Sequence, residues 1–532
     1  MLSTLRIENS PNADYINKLD IEKLSKEDDT QLEPVITEVC SLDSDSPSPS
    51  STEISLFREI LFVSLMCMSQ LLTQAGTAQP MITSNEISQT FNVEGIPGEI
   101  SWFSSLYSLT VGTFILISGR LGDMYGYKKL FIIGYVWFGI FSLITGFTGF
   151  TSSSIFFDTM RALQGIGPAI MMPNTQALLG AYYPPSLKKD ICLSLFGAVA
   201  PSGSVIGALL SGMFAQLVWW PWSFWLFGIV SIVVALSSFF IIPTNIGWKS
   251  GGSFDFYGAI CGVSGLVLFN FSWNEGPVVG WDKTYVYVLL ICGVLCMVAF
   301  YLVEKRVKDP LVSPEVLKGD TGSVLGCIAA GWSCFGIWLF YTFRWALIVD
   351  GDTPVVAAVQ NVPSIFVGFI AAISTAYMLQ RIPSSIILLI SMFFFLTGII
   401  LMGTRPVGQT YWSQKFLSNM IQSIGMDMSF PAGCIILSSA LPESQQGIAG
   451  SLVSTVVNYS ISIGLGLAGT VEYYVTKNME PSLETTIRGM RVAFYMGMGL
   501  AGLGVVVATA FVLSQLISQR KNRMISEVRK GS

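Results

Sequence analysis

Long stretches of mainly apolar residues recur along this chain from about residue 57 to residue 517. A transmembrane helix needs about 20 such residues in succession, and fourteen stretches approach or exceed that length. The predicted spans are 57–83, 100–118, 130–149, 155–178, 190–213, 222–242, 256–273, 284–303, 322–343, 355–378, 384–403, 412–437, 446–472 and 491–517. Most connections are short, so consecutive helices must return side by side. The pattern predicts an all-α, polytopic membrane protein with 14 spans.

Composition agrees with this interpretation. The 532 residues are 52% hydrophobic and 12% charged, whereas soluble domains carry about 25% charged residues. The net charge of −5 arises largely from residues 1–53, which contain twelve acidic and four basic residues. That segment is too polar to bury a core and is predicted to be a disordered acidic tail. No cleavable signal pattern precedes the first span, which is expected to serve as the insertion signal.

The positive charges of the loops predict an orientation. Sixteen Lys and Arg residues fall in the C-terminal tail or in loops on the side of the N-terminus, against about seven on the other side. Lys and Arg are enriched in cytoplasmic loops. Both termini are therefore predicted to be cytoplasmic. The protein is expected in the plasma membrane, with the vacuolar membrane as the alternative.

A charged, glycine-rich turn, GRLGDMYGYKK at residues 119–129, joins the second and third spans. Its glycines permit close backbone approach and positive φ, and both signs of charge meet at one membrane face. Arg120, Asp123 and Lys128 are candidates for gating and proton coupling. The alternative is a solvated hairpin whose basic residues only set the orientation.

The fourth span contains Asp158 and Arg161 three residues apart, in DTMRALQGIGPA. Charged side chains inside a membrane are costly and usually functional, so Arg161 is a candidate functional residue. Residues three apart share a helix face. A structural ion pair between these two side chains is the alternative.

The twelfth span places Asp427 near its centre, with Asn419 and Ser423 on the same helical face. Burial in an apolar span favours the neutral form of a carboxyl group, which makes Asp427 the natural proton carrier in a chain without histidine. An acid that polar neighbours keep permanently neutral is the alternative. Glu472, at the end of the thirteenth span, is expected to lie at the membrane interface.

Uncharged polar residues at helical spacing supply candidates for solute binding. Gln70 and Gln74 are large amides one turn apart on the first span, and Asn419 adds an amide on the face of Asp427. Hydrogen bonding between helices also explains such stripes.

Several classes of function are excluded by what the sequence lacks. It contains no histidine and no Gly-x4-Gly-Lys-Ser/Thr phosphate loop, and its nine cysteines follow no zinc or disulfide pattern. We therefore expect no enzyme, metal or cofactor, and no nucleic acid partner. Energy must come from a gradient, which indicates a secondary transporter.

The motifs resemble those of a known family. The turn at 119–129 is similar to the signature between the second and third helices of the major facilitator superfamily, except that Tyr127 replaces its first basic residue. Arg161, Gln164, Gly165 and Gly167 match the family's Arg-x-x-Gln-Gly-x-Gly signature. The Arg of that signature is implicated in proton transfer, so the resemblance makes Arg161 a candidate for proton coupling. With its span count, the chain resembles the fourteen-span fungal drug:proton antiporter branch. Within that branch it looks most like the low-affinity ammonium, aminotriazole-resistance and boron-efflux permeases.

The resemblance implies an architecture. Two six-helix halves, 54–242 and 322–517, would flank two extra helices and a linker at 243–321, before a basic cytoplasmic tail at 518–532. Spans 1, 4, 9 and 12 would line a central cavity. That arrangement would add Tyr341 and Arg344 to the solute-binding candidates.

Together these observations predict a monomeric transporter that moves a small polar solute by alternating access, coupled to protons. Export of a toxic solute and low-affinity ammonium transport are the competing assignments. A nutrient sensor that uses the same fold without transport is the alternative outside the transporter class.

Overall fold

The structure, a computed structural model, describes residues 56–94, 96–183, 187–244, 246, 254–307, 310–312, 320–440 and 446–531. The predicted acidic tail and parts of the predicted linker lie outside these residues. Close contacts divide the chain into two units, Met1–Glu59 and Ile60–Ser532. Only the start of the first helix is described in the first unit, and the sections below concern the second.

The described residues form sixteen α-helices and no strand. The helices before residue 250 are α1 (Leu56–Ile82), α2 (Ser84–Phe91), α3 (Pro97–Tyr125), α4 (Tyr127–Phe147), α5 (Ser154–Tyr182), α6 (Leu187–Leu217) and α7 (Pro221–Ile241). Those after it are α8 (Phe256–Val279), α9 (Thr284–Glu304), α10 (Asp320–Ile348), α11 (Pro354–Val359), α12 (Pro363–Leu379), α13 (Ser384–Gly403), α14 (Gln414–Ala440), α15 (Gln446–Thr476) and α16 (Leu483–Gly531).

Each of the fourteen predicted spans corresponds to a helical segment, and the all-α prediction is confirmed. The predicted span 355–378 is interrupted, because α11 and α12 are separate helices. Thirteen segments among the described residues are long and apolar enough to cross a membrane. Helix α5 is not one of them, although it has 29 residues. Its charged and amide side chains lower its hydropathy, and their contacts, described below, explain how they are accommodated.

The turn between α3 and α4 depends on one glycine. Gly126 adopts φ 99°, a conformation that only glycine reaches without strain. Its N–H donates to the carbonyl of Gly122 at 2.8 Å, which ends α3. The next helix therefore starts at once, at Tyr127. We call this end of the helices the hairpin end and the other the distal end.

The outer surface of the helices is apolar. Large side chains such as Leu236 on α7, Phe240 on α7 and Leu295 on α9 are exposed. Contiguous apolar surface of this kind is foreign to soluble proteins and suits contact with lipid. The described helices thus form a multi-pass integral membrane protein.

Two helix crossings bring backbones into direct contact. A Cβ atom on Gly112 of α3 would lie 2.6 Å from the backbone nitrogen of Tyr459 on α15. A Cβ atom on Gly212 of α6 would lie 2.9 Å from the carbonyl oxygen of Pro354 on α11. No side chain fits between the helices at either point, as is common where small residues mediate packing in membranes.

Candidate solute pathway

A cavity of about 1280 Å³ runs into the protein from the hairpin end. Its walls come from α1, α3, α5, α6 and the start of α4 on one side and from α10, α12, α14 and α15 on the other. Arg120, Asp123 and Gln380 line it at the hairpin end. Its volume exceeds that of common small-molecule sites, which are about 300–1,000 Å³.

Three of the predicted site residues lie along this cavity towards the middle of the helices. Gln70, Gln74 and Asp427 all line it. The Gln70 Oε1 atom and the Asp427 Oδ2 atom are buried and accept no hydrogen bond from the described residues. An unsatisfied buried polar atom is costly, and both of these atoms belong to residues on the cavity wall. The structure therefore brings the predicted amides and the predicted acid together in one space.

The Asp427 carboxylate sits where α12 and α6 come close. A Cβ atom on Gly368 of α12 would lie 2.7 Å from Asp427 Oδ2 and 2.8 Å from Cγ of Pro201 on α6. The lack of a side chain at position 368 thus leaves the space that the carboxylate occupies.

Gly368→Ala is expected to lower transport per folded molecule about tenfold or more. Overpacking costs about 1–3 kcal/mol, and the added methyl group would displace the Asp427 carboxylate. Alanine favours helix over glycine, so weakened helix formation cannot explain such a loss. The measurement is solute flux normalised to folded protein. The matched control is Gly502→Ala, a helical glycine of α16 with nothing within 4 Å of an added Cβ. Equal flux in wild type and Gly368→Ala would contradict this assignment.

Tyr127 and Lys128, two neighbouring residues of the charged turn, make different contacts. The Tyr127 hydroxyl donates to Asp123 Oδ1 at 2.8 Å, so the tyrosine that departs from the family signature is the partner of its acid. The Lys128 ammonium instead donates to the carbonyls of Phe239 and Ile242 at 2.9 and 2.5 Å. These carbonyls end α7, where a cation is favoured by the helix dipole. Lys128 is therefore not on the cavity wall, whereas Arg120 and Asp123 are.

Arg161 is fully buried and does not line the cavity. Its Nη2 donates to the Gly76 carbonyl on α1 at 2.7 Å, its Nε donates to the Phe103 carbonyl on α3 at 3.0 Å, and its Nη1 donates to Gln164 Oε1. Pro80 lies in α1 and has no N–H to give to the carbonyl four residues earlier. Arg161 therefore satisfies a carbonyl that the proline leaves open.

Asp158 and Arg161 form no ion pair among the described residues, and Asp158 Oδ1 lacks a hydrogen bond. The structural pair considered from the sequence is thus absent from this conformation. The Arg161 guanidinium instead stacks on the Tyr107 ring, 4.5 Å from its centroid. A cation over an aromatic face is stabilised without a counter-ion. The role of Arg161 in proton coupling remains a prediction.

Tyr341 and Arg344 point into a buried cluster near the distal end, away from the cavity. The Tyr341 hydroxyl donates to Glu472 Oε2 at 2.6 Å, and Arg344 Nη1 lies 3.2 Å from Glu472 Oε1. Glu472 is only 2% exposed. Glu472 is therefore buried in the protein, where Arg344 compensates its charge, and its depth relative to the membrane interface stays a prediction. The two solute-binding candidates on α10 join that helix to α15 in this structure.

Asn419 is also buried away from the cavity. Its Nδ2 donates to the Gln360 carbonyl at 3.0 Å, which ties α14 to the break between α11 and α12. Sequence reasoning missed an ion network nearby. Asp350 accepts from Arg405 at 2.8 Å and from Lys415 at 3.2 Å. Together these contacts hold the distal ends of α10, α13 and α14 in place.

Among the described residues, no three Cys, Asp or Glu side chains lie close enough to hold a metal ion. The charged and amide side chains along the cavity can form hydrogen bonds and exchange protons. A cavity that carries charged and amide side chains inside a set of spanning helices is the arrangement of a membrane transport protein.

Comparison with known proteins identifies the family. The model of the Major Facilitator Superfamily matches residues 65–360. The low affinity ammonium transporter of Saccharomyces cerevisiae is 47% identical over 88% of this chain and 91% of its own length. The aminotriazole resistance protein of the same yeast is 38% identical over 88% of this chain and 87% of its own. The chain belongs to the major facilitator superfamily.

Solved structures show the same fold. A peptide transporter of the POT family in complex with sulfate superposes with a TM-score of 0.61 at 15% identity, covering 87% of this chain and 95% of that one. The resemblance stated from the sequence motifs, the facilitator fold and the transporter class are thereby confirmed. The ammonium relative is named as a transporter, and the sensor alternative receives no support.

Proposed function

We propose that this protein moves a small polar solute across the plasma membrane by alternating access, in exchange for protons. The observation that carries the proposal is the Asp427 carboxylate. It lines the cavity, and one of its oxygens has no hydrogen-bond donor among the described residues. A carboxyl group in that position can take up and release a proton as the solute leaves and enters. Since the chain has no histidine, no imidazole competes for this task.

The hairpin end is proposed to face the cytoplasm, with both termini on that side. The loop charges support this orientation, and the cavity then represents a cytoplasm-open state. In the cytoplasm-closed state the hairpin would move, and Asp123 would exchange its Tyr127 contact for a basic group or a helix N-terminus. Arg120, on the same wall, would take part in that gate. Two six-helix halves, with α8 and α9 between them, would provide the moving parts within one monomer.

Two solutes are proposed, one from each named relative. Ammonium is the solute that the first relative's name gives, and export of aminotriazole or a similar toxic solute follows from the second. Neither requires catalysis, a cofactor or nucleic acid.

A flux assay tests the function. The purified full chain is reconstituted in vesicles with an imposed pH gradient, and accumulation of labelled methylammonium, aminotriazole and borate is followed. We expect accumulation of at least one solute above protein-free vesicles, and its collapse to equilibrium when a protonophore removes the gradient. Absence of flux for every solute would refute the transport assignment for these solutes. Flux that the protonophore leaves unchanged would refute proton coupling.

A further inference from the structure

Two acidic side chains meet at the hairpin end, where α8 begins and α9 ends. Asp255 directly precedes α8, and its Oδ1 accepts from the Gly258 N–H at 2.8 Å. Glu304 is the last residue of α9, and its Oε2 accepts from the Val312 N–H at 3.2 Å. The two acidic residues are only 6% and 3% exposed. Each carboxyl group thus has one oxygen that a backbone donor satisfies.

The second oxygen of each carboxyl group has no hydrogen-bond donor among the described residues. A Cβ atom on Gly258 would touch Asp255 Oδ2 and would lie 2.9 Å from Glu304 Oε1, so both oxygens border the same small space. Two ionised carboxylates that share a buried space repel each other, which favours the uptake of a proton by one of them. One proton on Glu304 Oε1 satisfies both oxygens, since the new O–H can donate to Asp255 Oδ2.

The charges around this pair leave its repulsion uncompensated. The charged group that faces Glu304 from α8 is Asp255, and residues 310–312 are apolar. The two basic residues that follow Glu304 in α9 and after it are exposed. Of these, Lys305 lies over the Tyr301 ring, 4.5 Å from its centroid. Among the described residues no cation bonds to the pair, and a proton is left to neutralise it.

Glu304 also fixes a part of the cavity wall. The chain that leads from α9 to α10 passes along the hairpin end, where Pro310 and Leu311 line the cavity. Leu311 and Val312 are buried. The bond from the Val312 N–H to Glu304 Oε2 anchors this short segment to the end of α9. The place of Pro310 and Leu311 on the wall therefore depends on the Glu304 carboxyl group.

We propose that Asp255 and Glu304 form a pH-responsive latch, in which a shared proton lets Glu304 hold residues 310–312 on the cavity wall. When the proton leaves to water at the hairpin end, the two like charges repel each other. Asp255 stays at the start of α8, where the helix dipole favours an anion, so Glu304 withdraws and releases Val312. Glu304 is thus a positioning residue for the wall. The inference goes beyond the proposed function, because it concerns control of the cavity's shape and not the exchange of solute for protons.

Hydrogen exchange at the Val312 amide measures the latch directly. The full chain in detergent is labelled in deuterated buffers that range from mildly acidic to mildly alkaline, and the peptide that contains residues 311–312 is followed. The readout is the protection factor, which removes the base catalysis that all amides share. We expect the protection to fall about tenfold or more as the pH rises, because the repulsion of two adjacent charges exceeds the net contribution of one hydrogen bond. Constant protection over this range would overturn the proposal.

Substitution tests whether both carboxyl groups are needed. In Glu304→Gln the amide oxygen accepts from Val312 and the NH₂ group donates to Asp255 Oδ2, so protection should stay at the acidic wild-type level at every pH. Asp255→Asn should act in the same way, because asparagine also caps a helix and its NH₂ group donates to the ionised Glu304. The matched control is Glu480→Gln, the same change at an exposed residue. It should keep the wild-type pH dependence.

Two further outcomes would overturn the latch. One is a wild-type pH dependence that survives in Glu304→Gln or in Asp255→Asn, since the proton would then not be shared. The other is a loss of protection when EDTA is added at constant, mildly acidic pH, which would assign the space between the oxygens to a metal ion. We expect EDTA to change nothing. None of these measurements needs solute flux, so the latch and the transport function can fail independently.

Discussion

Asp427→Asn is expected to abolish accumulation driven by a pH gradient while exchange of solute across the membrane continues. Asparagine has nearly the shape of a protonated aspartate, but it cannot release a proton. Because Asp427 Oδ2 has no donor among the described residues, the substitution breaks no ion pair, and the fold should tolerate it. The measurement compares gradient-driven accumulation with exchange in the same vesicles.

The matched control for that experiment is Asp282→Asn, which makes the same chemical change at an exposed residue between α8 and α9. It should leave both activities at the wild-type level. Gradient-driven accumulation that survives in Asp427→Asn would show that another group carries the proton. Loss of both accumulation and exchange would assign Asp427 to solute binding instead.

Arg161→Lys is expected to lower thermal stability and the yield of folded protein strongly. An ammonium on a flexible chain cannot reach the carbonyls of Gly76 and Phe103 together with the Gln164 amide, as the planar guanidinium does. Each buried acceptor left without a donor costs about 1–3 kcal/mol. Unfolding temperature in detergent and folded protein per cell are the measurements. A lysine variant as stable as the wild type would contradict this account.

The charge swap Asp158→Arg with Arg161→Asp tests whether Asp158 is the partner of Arg161. If Asp158 were the true partner of Arg161, the swap would restore stability. In the structure the arginine bonds lead to α1, to α3 and to Gln164, so an aspartate at position 161 would meet carbonyl oxygens. We therefore expect the double variant to be no more stable than Arg161→Lys.

Much of the fold was accessible from sequence, because the length of an apolar stretch reflects the thickness of the bilayer. The same holds for part of the site. Gln70 and Gln74 are one turn apart, so whichever way α1 faces, they face together. Asp427 was identifiable as an unusual charge in a span. Gln70, Gln74 and Asp427 line one cavity because the polar faces of α1 and α14 both turn towards it.

The partners of the remaining charges depend on contacts between distant parts of the chain, which spacing along one helix does not reveal. Arg161 has an acid three residues away, yet it binds a carbonyl that Pro80 exposes on another helix. Glu472 has no basic neighbour in sequence, and its partner Arg344 comes from α10. Lys128 reaches the end of α7. In each case the local sequence identifies the charged residue. Its partner is determined by tertiary packing and does not follow from the local sequence.

The two backbone crossings at Gly112 and Gly212 bear on the speed of the transport cycle. Where side chains interlock, two helices must separate before they can change their crossing angle, and the lost packing raises the barrier. At these crossings the backbones touch directly, so the helices can roll on each other while staying in contact. We therefore expect these two crossings to add little to the barrier between the conformations. The contacts made elsewhere, including those of a bound solute, would then set the rate of the cycle.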